Sequence, residues 1–252
     1  MVLYRGVRKE CCFLKILAIG DIVGENGVEK LTKELPRIRQ ENDVDFVIVN
    51  AENSAGGMGI TTKIFEDLLK LKVDVITMGN HTWGKKDIFS FIDHPKLLRP
   101  ANYSKGVVGK GIGIYNCKNK KIAVMNLIGR TDMNVLSENP FTVANDLINE
   151  VTGKVDMIFV DFHAEATAEK IAMGIYLDGK ITALYGTHTH VQTADEHILE
   201  KRNSIHYRYR HDWSKEFSYW YGSISIYQKI CYIFTRKIQT SRRRLHFEWL
   251  YF

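Results

Sequence analysis

A chain of 252 residues with 45% hydrophobic and 25% charged content has the composition of a soluble protein with one substantial core. No uncharged apolar run approaches the roughly 18 residues of a membrane span, and four cysteines (Cys11, Cys12, Cys117, Cys231) without CxxC spacing make a poor disulfide framework, so reduced thiols in a cytoplasmic protein are expected. The net charge of +6 is local: residues 200–252 hold 11 Lys/Arg against 4 Asp/Glu, whereas residues 1–199 hold 24 against 25.

The first 13 residues begin like a signal peptide, but Lys15 interrupts the apolar part and no small-residue cleavage site follows. Short β-branched runs then alternate with helix-period segments, the pattern of βαβ units around a buried, largely parallel sheet. Strands are predicted at 15–20 "KILAIG", 45–50 "DFVIVN", 73–78 "VDVITM", 121–127 "KIAVMNL", 155–161 "VDMIFVD" and 180–186 "KITALYG". Between the first three, Val28, Leu31, Leu35 and Ile38 recur at helical spacing, as do Ile64, Leu68 and Leu71 behind an N-cap at Thr61 or Thr62. Pro36 is expected to kink or shorten the first of these helices. A glycine-rich approach to "KNKK" reads as a hairpin, which makes the sheet mixed.

Polar residues gather just past the ends of these strands. "AIGD" ends in Asp21, "VIVNAEN" in Glu52 and Asn53, "ITMGNH" in Asn80 and His81, "FVDFH" in His163, and "LYGTHTH" in His188 and His190. Taken singly, Asp21 could cap a helix, Asn53 and Asn80 could be turn residues, and His163 could be a satisfied core histidine. Together they line the edge at which open α/β sheets bind ligands. Mixed oxygen and nitrogen donors without cysteine suit iron, manganese or zinc. Glu52 can bridge two ions, whereas each histidine serves one. Two ions about 3.5–4 Å apart activate water and neutralise a phosphoryl group under in-line attack. An imidazole not needed as a ligand could protonate the leaving alkoxide, and His81 is the choice because Asn80 beside it can reach a metal.

"GD" at 20–21, "GNH" at 79–81, the lone His163 and "GTHTH" at 186–190 resemble the ordered motifs of calcineurin-like metallophosphoesterases. Val23 stands where many members carry a second histidine, and "NAEN" replaces their Gly-Asp-x-x-Asp. With "NAENSAGGMGIT" and "MGNHTW", these departures resemble the bacterial 2',3'-cyclic-nucleotide 2'-phosphodiesterases, over about Leu14 to Leu199. The resemblance implies a sandwich of mixed β-sheets flanked by helices, with the active site at C-terminal strand ends. It implies that Asp21, Glu52, Asn53 and His190 hold one metal, that Glu52, Asn80, His163 and His188 hold the other, and that His81 is the proton donor. It further implies a di-iron centre, with manganese or magnesium as substitutes, in a cytoplasmic homo-oligomer. The implied reaction converts 2',3'-cyclic nucleotides to 3'-nucleotides by attack of a metal-activated hydroxide on phosphorus, with 3',5'-cyclic nucleotides as further substrates.

The domain division expected is an extension at 1–13, a metallophosphoesterase domain at 14–199 and an atypical basic, aromatic tail at 200–252. The tail holds 14 of the 28 aromatics, no Ala, Val or Pro and a single Gly, and shows no strand alternation. This composition suits a segment not selected for folding, such as out-of-frame translation, better than a nucleic-acid-binding appendage. An inactive or regulatory relative, a phosphomonoesterase or nuclease, and nucleic-acid binding through the tail are the competing functions. "SAGGMGITTK" (54–63) reads as a phosphate-approaching loop or a plain turn, and His94 and His197 read as surface residues.

Overall fold

The computed structural model describes residues 14–191, 197–199, 205–206, 230–235 and 249–250. In chain order it contains β1 (Leu14–Ile19), α1 (Gly24–Asn42), β2 (Phe46–Asn50), α2 (Thr62–Lys70), β3 (Val75–Thr77), a 3-10 turn (Lys86–Ser90), β4 (Leu97–Leu98), β5 (Ile112–Cys117) and β6 (Lys120–Ile128). There follow α3 (Pro140–Val151), β7 (Met157–Ala164), α4 (Thr167–Tyr176), β8 (Ala183–His188), β9 (His197–Ile198), β10 (Ile205–His206), β11 (Ile230–Thr235) and β12 (Trp249–Leu250). The extension at 1–13, with Cys11 and Cys12, and most of the tail lie outside the described residues.

The strands form two six-stranded sheets, ordered β12-β11-β1-β2-β3-β4 and β5-β6-β7-β8-β10-β9. In the first, β1 to β4 are parallel and β11 runs antiparallel beside β1, with Leu14 opposite Thr235 and Ile19 opposite Ile230. In the second, β6, β7, β8 and β10 are parallel, while β5 and β9 are antiparallel neighbours at the two edges. Both sheets are therefore mixed. The β5–β6 hairpin turns at Lys118, whose φ of 52° is left-handed.

Strand alternation divides the apolar residues into layers. On β1, Leu17 and Ile19 pack with Leu31, Leu35 and Ile38 of α1 and Phe65 and Leu68 of α2. Leu14, Ile16 and Ala18 turn the other way and meet Ile122, Val124, Phe159 and Tyr185 of the second sheet. The outer face of that sheet, through Met125, Leu127, Val160 and Phe162, is covered by Ala144 and Ile148 of α3 and Met173 of α4. The result is a helix–sheet–sheet–helix sandwich, the architecture of calcineurin-like metallophosphoesterases.

Local signals account for the helices. Thr61 caps α2 by accepting a hydrogen bond from Ile64 N at 3.4 Å. Pro36 lies inside α1, which continues to Asn42, so of the two expected effects, a kink or a shortening, the helix is not shortened. The tail departs from expectation too, because the β-branched and aromatic run "ICYIFT" forms β11 where no strand alternation had been seen.

Candidate metal centre

The parallel strands of both sheets deliver their C-terminal ends to one seam. Asp21 lies two residues past β1, in a turn stitched to the neighbouring strand by Ile22 N donating to Asn50 O (3.0 Å) and Gly24 N to Asn53 O (2.9 Å). It does not cap α1, whose N-cap is Val23. Its Oδ2 instead accepts from His188 N at 2.9 Å, tying the first sheet to the second. Glu52 and Asn53 follow β2 and are held by a tight glycine turn in which Ala55 N donates to Gly59 O, Gly57 N to Asn53 O and Gly59 N to Glu52 O. These three N–H groups are consumed within the loop, where they support Glu52.

Asn80 and His81 follow β3 on a turn that begins with Gly79. A side chain at 79 would collide with Glu52 Oε2 and with the His163 ring, so only glycine permits this approach. The Gly79 carbonyl accepts from Tyr103 Oη (2.9 Å), Thr82 Oγ1 (2.6 Å) and Thr82 N (3.1 Å), which fixes the turn. His163 lies near the end of β7 and is fully buried; His188 ends β8 with a left-handed φ of 84°. A non-glycine residue in that region stores backbone strain, and such strain concentrates at functional sites.

Three atoms converge on His163 Nε2: Asn80 Oδ1 at 2.9 Å, His188 Nδ1 at 3.1 Å and Glu52 Oε2 at 3.4 Å. The proton positions follow from the partners behind. Thr187 Oγ1 donates to Asp161 Oδ1 (2.6 Å) and so accepts from His163 Nδ1 (3.0 Å), which leaves His163 Nε2 bare. With His163 neutral, these lone pairs repel one another until a cation enters, although Glu52 Oε2 also accepts from His81 N at 2.9 Å. Two further oxygens, Asp21 Oδ1 and Glu52 Oε1, are buried without a hydrogen-bond partner. The donor set thus fits a divalent metal, and Glu52, His163 and His188 each turn a ligand atom into one small volume.

The electrostatics show how strongly the carboxylates draw positive charge to this pocket, so that a proton competes with a metal ion for His163 Nε2. Desolvation would raise the Glu52 carboxyl, but His163 and His81 hold it well below the usual carboxylate range. Burial opposes protonation of His163, yet the Glu52, Asp21 and Asp161 carboxylates hold it above its ordinary value. Burial and the neighbouring His163 push His188 down to about 4. The Glu52 carboxylate beside it raises His81 over the effect of its partial burial.

The remaining residues form a second group. His81 Nδ1 lies 2.6 Å from Asn53 Oδ1 and 3.4 Å from Glu52 Oε1, which leaves its Nε2 outward, and the side chain is 33% exposed. Asn53 Nδ2 faces the exposed His190 Nε2 at 3.2 Å. Here the amide presents its NH2 group to the histidine, so its oxygen is not turned toward His190.

Sequence reasoning missed the layer beneath. Asn50 Nδ2 donates to Asp161 Oδ2 (3.1 Å), Thr77 Oγ1 donates to the same oxygen, and Asn50 Oδ1 accepts from Glu52 N (3.1 Å). Burial pushes Asp161 up to about 6 against the hydrogen bonds from Thr187 and Thr77. Each of these polar residues closes an apolar run ("VIVN", "VIT", "FVD", "LYGT"), and that was the available signal. The fully buried Lys170 on α4 donates to Thr189 Oγ1 (2.7 Å), between His188 and His190. His94 is partly buried, edge-on to the Phe65 ring; the side chain of His197 lies outside the described residues.

Fold and site define a phosphoester hydrolase of the metallophosphoesterase type. A model of the YmdB-like protein family matches residues 17–206, and the chain belongs to that family. It is 49% identical over 189 residues to the 2',3'-cyclic-nucleotide 2'-phosphodiesterase of Bacillus subtilis (strain 168), an alignment covering 75% of this chain and 71% of the relative. Among solved structures, a hypothetical protein from Thermus thermophilus superposes with a TM-score of 0.78 at 26% identity, covering 94% of this chain and 99% of that one. A novel phosphatase from Mycoplasma pneumoniae gives 0.77 at 28% identity, covering 96% and 94%. No helix among the described residues is long and apolar enough to cross a membrane.

Proposed function

We propose that this chain is a dinuclear-metal phosphodiesterase that hydrolyses 2',3'-cyclic nucleotides to 3'-nucleotides, with 3',5'-cyclic nucleotides as secondary substrates. The observation that carries the metal reading is the convergence of ligand-type atoms of Glu52, Asn80, His163 and His188 on one small buried volume, beside the unpartnered oxygens Asp21 Oδ1 and Glu52 Oε1. The substrate class rests on the similarity to the Bacillus subtilis enzyme. Asp21, Glu52, Asn53 and His190 would hold one ion and Glu52, Asn80, His163 and His188 the other, with Glu52 shared. Iron is the expected metal, manganese or magnesium the substitute, in a cytoplasmic homo-oligomer. When bound, such a pair supplies a nucleophilic hydroxide at neutral pH and neutralises phosphoryl charge.

The chain's own groups supply the rest. Opening the ring at the 2' position leaves an alkoxide with a pKa far above 7, which needs a proton as the P–O bond breaks. His81 can give it: its Nδ1 is engaged by Asn53 and Glu52, its Nε2 faces outward, and Glu52 keeps the imidazole protonated to higher pH. Asn53 thereby orients the acid as well as contributing to the first ligand set.

The test is a comparison of Mn(II)-loaded protein on 2',3'-cyclic AMP, an aryl phosphomonoester and single-stranded RNA. The expected order places the cyclic diester first; preference for the monoester or for RNA would reassign the substrate class.

A further inference from the structure

The two histidines that face each other across the cluster present different nitrogens, Nε2 of His163 and Nδ1 of His188, 3.1 Å apart. Neutral imidazole places its one proton by default on either nitrogen, so each ring needs a partner that selects the tautomer. For His163 that partner is the Thr187 hydroxyl backed by Asp161. For His188 the structure offers a second carboxylate: Glu165 Oε2 stands 3.0 Å from His188 Nε2. Glu165 is the first residue past β7, and the strand register sets Ala164 directly opposite His188, which brings the Glu165 side chain to the level of the ring.

We propose that Glu165 is the positioning residue of His188, accepting the Nε2 proton so that Nδ1 is left bare as the ligand atom of the second metal set. A carboxylate can only accept, so this contact is satisfied in one tautomer. It also supplies the side-chain half of a restraint whose backbone half is His188 N donating to Asp21 Oδ2 at 2.9 Å. The left-handed φ of 84° at His188 is held from both ends in this way. β7 therefore carries one ligand, His163, and leads with Asp161 and Glu165 to the two carboxylates that give the facing histidines opposite tautomers. Partners of this kind behind a ligating histidine commonly change metal affinity about 10–100-fold.

The inference rests on the metal reading above but is separable from it. The experiment uses the full chain with Mn(II) as the only probe, titrated into wild type, Glu165→Ala and Glu165→Gln, beside nitrogen-15 NMR of the His188 ring in metal-free protein. Glu165→Ala is expected to weaken one Mn(II) site about 10–100-fold and to lose the fixed Nε2–H tautomer. Glu165→Gln, whose amide oxygen still accepts, is expected to restore the tautomer and most of the affinity. Unchanged Mn(II) binding in Glu165→Ala, or a wild-type His188 protonated at Nδ1, would overturn the proposal. Wild type that takes up no Mn(II) while His188 shows the Nε2–H tautomer would sink the phosphodiesterase reading and leave the Glu165 contact standing.

Discussion

Asn80 Oδ1 and His163 Nε2 lie 2.9 Å apart although 83 residues separate them in the chain, Asn80 on the turn after β3 of the first sheet and His163 on β7 of the second. The candidate metal centre is thus built across a seam, and its geometry depends on how the two sheets pack. Phe159 sits in the core between them with no exposed surface. Phe159→Ala is expected to cost about 3–5 kcal/mol of stability, as cavity-forming aromatic truncations do. It is also expected to weaken metal binding under conditions where the variant remains folded. Chemical denaturation together with metal titration checks both, and metal affinity equal to wild type would uncouple the site from the seam.

Gly79→Ala tests the close approach beneath the cluster. The added methyl meets His163 and the Glu52 carboxylate, and the Gly79 carbonyl is pinned by Tyr103 and Thr82, so the turn has little freedom to retreat. Metal content after gel filtration should fall well below wild type while the fold, followed by circular dichroism, persists.

Glu52→Gln removes the one carboxylate expected to serve both ions. Metal content and turnover should fall together, measured by elemental analysis and by hydrolysis of 2',3'-cyclic AMP. Normal metal loading in this variant would contradict the bridging assignment.

His81→Ala should leave the metals in place and lower turnover by about 10²–10⁴, the usual contribution of a positioned acid. The sign of its pH dependence follows from the raised imidazole: the acid form is competent, so the rate should decline as pH rises through a pKa above the ordinary histidine value. In His81→Ala that decline disappears, and an aryl diester whose leaving group needs no proton should lose much less rate. A wild-type and variant profile of the same shape would remove His81 from the mechanism.

Much of this was legible in the sequence because parallel strands make it so. The buried runs at β1, β2, β3, β6, β7 and β8 are largely apolar, and in parallel strands the polar residues that end them fall on one edge. Asp21, Glu52, Asn80, His163 and His188 could therefore be grouped without coordinates. The short pair of residues in β4 has no period to detect, and β11 lies in a tail whose composition pointed away from folding. Asp161, Thr187 and Asn50 read as ordinary strand polar residues, because their roles depend on register between strands far apart in sequence. Glu165 was hidden for the same reason: only the pairing of β7 with β8 sets it against His188.

The most direct measurement is hydrolysis of 2',3'-cyclic AMP by the purified full chain loaded anaerobically with Fe(II) or with Mn(II), with metal stoichiometry determined on the same sample and the product identified. Two metals per chain and 3'-AMP as product are the predicted results. A folded protein that binds two metals and yields 2'-AMP, or no product at all, would contradict the proposed reaction.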